Sequence, residues 1–125
     1  MGKATINEME INGITYVPKD SVANVKAESL DGMEYAIIRT NSAGVHAGYI
    51  EKEDGKLVTL KKSRRLWYWS GASTLSQLAV DGTSNADDCK FPCEVETIRI
   101  TEAIEVIPCT EKARKSIEGV KIWKQ

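Results

Sequence analysis

Between Met33 and Leu60 the chain reads MEYAIIRT, NSAG, VHAGYIEK, EDG, KLVTL, and no other stretch constrains the fold as tightly. Runs rich in Ile, Val, Tyr and Thr alternate with short polar segments that hold Gly44 and Gly55. Such residues fit a pleated, half-buried surface, and Gly supplies the left-handed backbone that tight turns need. The pattern predicts three strands joined by short turns, a meander. In the second run Val45, Ala47 and Tyr49 share one face, and His46, Gly48 and Ile50 the other. A glycine at position 48 predicts a close backbone approach or a bend, which lets the meander curl toward a small barrel.

The flanks complete the outline. In MEINGITYVPKDSV, Asn12-Gly13 is a favoured two-residue hairpin turn, and Pro18 ends the second arm. SVANVKAESLDG reads as a linker with at most one helical turn. Leu66–Trp69 reads as a strand or strand end, with Leu66 and Tyr68 on one face and Trp67 and Trp69 on the other. Ser73 is the expected N-cap of TLSQLAVDG, which Gly82 stops, and Thr110 caps EKARKSIEG. VETIRI, AIEVIP and the terminal VKIWK read as strands. The expected fold is therefore α+β and β-rich. An N-terminal hairpin and linker over 1–32 precede one domain over 33–125, a curled, small-barrel-like antiparallel meander with two short helices.

A chain of 125 residues matches one domain. Its net charge of -1 gives no general attraction to nucleic acid or anionic lipid, so neither partner is expected. No apolar run is long enough to span a bilayer, and MGKATINEME lacks the apolar core of a secretion signal. The expected location is the cytoplasm. There Cys89, Cys93 and Cys109 are expected as reduced, mostly buried thiols rather than disulfides. CKFPC has Pro92 inside it and three intervening residues, not the two of a zinc knuckle, and a single His is present. No metal or other cofactor is expected. No nucleophile turn, Walker loop or dinucleotide fingerprint occurs, so the chain is not expected to be an enzyme.

The stretch that remains is KKSRRLWYWSGAS, Lys61 to Ser73. In a functional reading Arg64 and Arg65 present planar donors to phosphate, Trp67 or Trp69 offers a ring face, and Ser70 with its neighbouring amides adds donors. His46, beside small residues, and Arg39, at a strand end, join the same patch. A structural reading is equally concrete: the tryptophans are core and the arginines pair with carboxylates. Both stand at the level of sequence.

SAGVHAGYI, RRLWYWSGASTLSQLA, CKFP and AIEVIPCTEKARKSIEGVKIW, in that order, resemble a group of short phage and prophage proteins classed as a domain of unknown function. The likeness runs from Glu34 to Lys124. INGITYVPKDSV resembles a leader found on otherwise different phage proteins. The resemblance implies a small, soluble accessory protein in the host cytoplasm and transfers no catalytic residue. Two expectations follow. One is a non-enzymatic protein that sequesters a small nucleotide-type ligand, such as a signal of the host's defence. The alternative is a protein-interaction or self-assembly module with the Trp/Arg cluster as its interface. Because a lone hairpin and sheet edges want partners, a homo-oligomer is expected in either case.

Overall fold

The computed structural model describes residues 25–124, with the backbone of two short strands before them, β1 (Met9–Ile11) and β2 (Ile14–Tyr16). These two pair antiparallel, Met9 opposite Tyr16 and Ile11 opposite Ile14. The expected Asn12-Gly13 turn, Val17-Pro18 and the first part of the linker lie outside the described residues. The main sheet follows as β3 (Glu34–Thr40), β4 (Val45–Asp54), β5 (Leu57–Arg65), β6 (Val95–Ile100) and β7 (Ala103–Pro108). Helix α1 (Leu75–Asp81) and a 3-10 turn (Ala86–Asp88) lie between β5 and β6, and α2 (Glu111–Gly119) follows β7.

The sheet is antiparallel in the order β6-β5-β4-β3-β7, so the predicted meander forms its centre. β6 and β7 are consecutive in sequence yet occupy opposite edges. Only Thr101 and Glu102 join them, so the two edges come within about 11 Å at that corner. The sheet must curl strongly to allow this. It does not close, because no ladder joins β6 to β7; the expected barrel is a curled open sheet.

Curling buries both faces. On one, Tyr35, Ile37, Ala47 and Tyr49 pack against Leu78 and Ala79 of α1 and Ala113 and Ile117 of α2. On the concave face Ala36, Ile38, Val58, Leu60, Ile100 and Ala103 pack together. A strand covered on both sides reads as a continuous apolar run, which accounts for the unbroken YAII of β3.

The helices are fixed by their caps. Thr74, not Ser73, caps α1: its Oγ1 accepts from Gln77 N at 3.1 Å, while Ser73 N donates to Gln77 Oε1. Thr110 caps α2 as expected, and its hydroxyl also donates to Val80 O at 2.6 Å, tying the two helices together. Two expected strands are absent as such. β5 ends at Arg65, and beyond it only Tyr68 bridges to Lys90; VKIWK contributes only a bridge from Ile122 to Phe91. At the described end of the expected linker Lys26 bridges to Thr110, Ala27 is buried with its N–H on Cys109 O, and Leu30 bridges to Met33 across a turn at Asp31-Gly32.

Candidate functional site

A bulge decides where the two arginines go. Tyr49 faces Lys61 and Ala47 faces Arg64, so Gly48 stands opposite both Lys62 and Ser63. Lys62 takes φ 50, the left-handed conformation that opens such a bulge. A Cβ at position 48 would sit 3.0 Å from Lys61 O and Ser63 Cα, so glycine permits the close approach that its sequence position predicted. The extra residue flips the alternation. Arg64 turns to the helix face with Ala47, and Arg65 shares the other face with His46.

Arg64 is therefore committed to the scaffold. It is 5% exposed. Its guanidinium donates to Ile117 O and Val120 O at the end of α2, and to Phe91 O and Pro92 O of the strap that joins the 3-10 turn to β6 (residues 89–94), at 2.7–3.1 Å. Burial draws its pKa below the ordinary value. The charge is met by the negative end of the helix and by carbonyl dipoles rather than by a carboxylate. Phe91 lies 5.5 Å below it.

Arg65 is exposed. Its Nη1 donates to Ala43 O at 2.7 Å, and the same carbonyl is 3.0 Å from His46 Nε2. A carbonyl only accepts, so His46 carries its proton on Nε2. His46 is 1% exposed; burial, with Arg65 adding to it, lowers its pKa, and the ring stays neutral. Among the described residues no carboxylate lies in ion-pair distance of Arg65. The 42–45 turn, Arg65, Leu66, Trp67 and Trp69 together line an open groove of about 430 Å³.

The tryptophans divide. Trp69 packs partly buried on the helix-side core. Trp67 is 58% exposed and stacks on Trp123, with ring centroids 5.2 Å apart and planes 8° from parallel. Lys90 lies beside both rings and Tyr68. The alternation expected over Leu66–Trp69 fails because this segment is not in the ladder: Leu66 is buried while Trp67 and Tyr68 both emerge.

Ser70 and Gly71 are used internally. Ser70 O accepts from Thr83 Oγ1, Ser70 Oγ accepts from Asn85 Nδ2, and Gly71 O accepts from Ser84 N. Gly71 has φ 85, and a Cβ there would lie 2.5 Å from Asn85 N. The close approach that glycine allows is to the chain's own 83–85 loop. Arg39 pairs with Glu105 at 2.8 Å and does not line the groove. The structure thus brings Arg65, Trp67 and Trp69 together at one opening, sets His46 beneath it, and places Arg64, Ser70 and Arg39 elsewhere.

Sequence reasoning missed Lys90, Trp123 and the Ala43 carbonyl. Lys90 sits inside CKFPC, where the cysteines draw attention, and a backbone carbonyl leaves no trace in residue type. All three cysteines are free; Cys89 and Cys109 are buried and Cys93 is exposed. Burial pushes the Cys109 thiol up to about 12. Among the described residues no group of three His, Cys, Asp or Glu is placed to hold a metal ion, and no helix is long and apolar enough to cross a membrane.

No curated protein and no solved structure matches the chain. One family model does, over residues 33–117, from the start of the sheet into α2. That span holds the bulge, the groove and the Trp67 platform, and by it the chain belongs to the family described as a domain of unknown function, DUF6948.

Proposed function

We propose that the chain is a non-enzymatic binding protein that holds a small nucleotide-type ligand, its ring laid on Trp67 and its anionic part met by Arg65. One observation carries the reading: an exposed indole and an arginine without a carboxylate partner among the described residues line the same groove of about 430 Å³. That size falls within the usual range of small-ligand sites. Stacking one base contributes ~1–3 kcal/mol and a charge-assisted hydrogen bond ~1.5–3. Together they support dissociation constants down to tens of micromolar at most. In support of passive capture, His46 and Cys109 do not line the groove, and burial holds the first neutral and the second protonated. The fuller form of the proposal is a phage accessory protein that soaks up a defence signal of the bacterial host, a role that needs capture and no acid-base chemistry.

Calorimetry against cyclic dinucleotides, ADP-ribose derivatives and simple mononucleotides tests it. Wild type is expected to bind at least one, and Trp67→Ala to lose about 10- to 100-fold in affinity with the fold retained. Silence across the panel from folded protein overturns it. A second reading rests on a different observation: Trp67, Tyr68 and Ile122 are all about half exposed, and Trp67 stacks on Trp123. Trp and Tyr are enriched in binding hot spots, so this surface also suits a protein partner. Loss of a pull-down partner on Trp67→Ala, with no small-molecule signal, selects that reading.

A further inference from the structure

Three aromatic rings converge on one ammonium. Lys90 Nζ lies 5.5 Å from the Trp67 ring centroid and 5.8 Å from those of Tyr68 and Trp123. The arrangement is built rather than incidental. Lys90 N donates to Tyr68 O at 2.8 Å and Tyr68 N to Lys90 O at 3.3 Å, so the two residues face each other across a bridge. The next residue, Phe91, is fully buried, and Phe91 O accepts from Trp123 N at 3.0 Å. The strap is thus pinned on both sides, with Lys90 on its outer surface.

The distances also say where the ammonium is. It is almost equally far from the two stacked indoles, and about as far from each as they are from one another. A cation capping the outer face of Trp67 would be much farther from Trp123. Lys90 therefore flanks the stack and leaves that outer face uncovered. The neighbouring rings carry no formal charge, so unlike a carboxylate they leave the charge of the ammonium uncancelled. Lys61, Lys62 and Arg39 each have a glutamate in ion-pair distance, and among the described residues Lys90 has none.

We propose that Lys90 is the second cation of the ligand site, an anion-binding ammonium set beside Trp67, Tyr68 and Trp123 by its backbone bridge to Tyr68. The proposal rests on the reading that a ligand ring stacks on Trp67. It adds that the ligand carries a phosphate or comparable anion reaching past the edge of that indole, and it supplies the donor that Arg65 alone lacks.

Two measurements on the full chain test this separately from the ligand class. In the first, tryptophan fluorescence is quenched with iodide and with neutral acrylamide. Lys90→Met keeps the apolar stem and removes the charge; it is expected to lower the iodide quenching constant about twofold and leave acrylamide unchanged. Unchanged iodide quenching, or a rise with both quenchers, overturns the proposal, since Lys90 then only shields the rings. In the second, AMP and adenosine are titrated into wild type, Lys90→Met and Lys90→Arg. Lys90→Met is expected to weaken AMP about tenfold without affecting adenosine, and Lys90→Arg to restore most of the difference. AMP bound equally by wild type and Lys90→Met overturns the proposal. If wild type binds neither compound, the mononucleotide reading falls while the anion site is judged on iodide alone.

Discussion

His46 shows how one buried side chain sets the pH response of this molecule. It is the sole histidine of the chain, it donates through Nε2 to Ala43 O, and burial lowers its pKa from 6.5. A histidine that resists protonation when folded takes up its proton more readily when unfolded. The unfolded state then binds more protons from about pH 6.5 downward, and stability falls as the pH drops. The Glu111 carboxylate, held at about 2 mainly by Arg114, gives up its contribution only as the pH falls from its ordinary 4.5 toward 2, so the window above that belongs to His46. Urea unfolding of wild type from about pH 7.5 to about pH 5.5 is expected to show a steady loss of stability. His46→Gln keeps a donor for Ala43 O and is expected to flatten the slope; an equal slope in both proteins would exclude His46 as its source. Arg64 makes the complementary point. Residue type alone marks it as a phosphate ligand no less than Arg65, and only the bulge at Lys62-Ser63 assigns one to the scaffold and the other to the surface.

At the scale of elements, the segment between β5 and β6 carries most of the surface chemistry and is held by a knot. Gly71 O accepts from both Ser84 N and Ser84 Oγ, Thr83 Oγ1 donates to Ser70 O, and Cys89 Sγ lies 3.5 Å from Ser70 N. Gly71→Ala combines a left-handed φ with a clash against backbone, and is expected to destabilise by about 3 kcal/mol or more. Denaturant midpoints check this, and a change under about 0.5 kcal/mol would show that the 83–85 loop is free to move aside. Regular elements were the legible part of the sequence. The cores of strands β3 to β7 and both helices follow from β-forming runs, turn glycines and the Thr110 cap, because those signals are local, whereas the cap of α1 is Thr74 rather than the expected Ser73 and β5 continues past KLVTL to Arg65. The site was legible only in part. Arg65 and Trp67 stand at one opening as the basic-aromatic run suggests, but the bulge, the Ala43 carbonyl and the Lys90 strap depend on pairing between residues far apart in sequence.

For the whole molecule, the open sheet poses a problem that the chain must solve. Its two edges are not equally guarded. β6 begins among Glu94, Glu96 and the Lys62–Glu96 pair, charges that discourage another strand from adding. β7 has Glu105 occupied by Arg39 and carries Ile104, which is about half exposed. Both edges expose a β-branched residue, Val95 on β6 and Ile104 on β7, and both hold a paired glutamate; β6 in addition carries Arg99, which has no ion pair among the described residues, so β7 is the edge that takes a neighbour. Self-association of the chain is therefore expected to run through β7, with two copies joined edge to edge by a symmetric antiparallel pairing. Light scattering at micromolar concentration is expected to give a multiple of the monomer mass. Ile104→Lys, at an exposed position that costs the fold little, is expected to return it to the monomer. A monomeric wild type would refute the association, and an oligomer untouched by Ile104→Lys would move it to another surface. Ile104 does not line the groove, but the residue two before it meets the groove's own turn, Glu102 accepting from Asn41 N and from Ser42 Oγ; titrating ligand into the same variant therefore reads whether assembly and capture are independent.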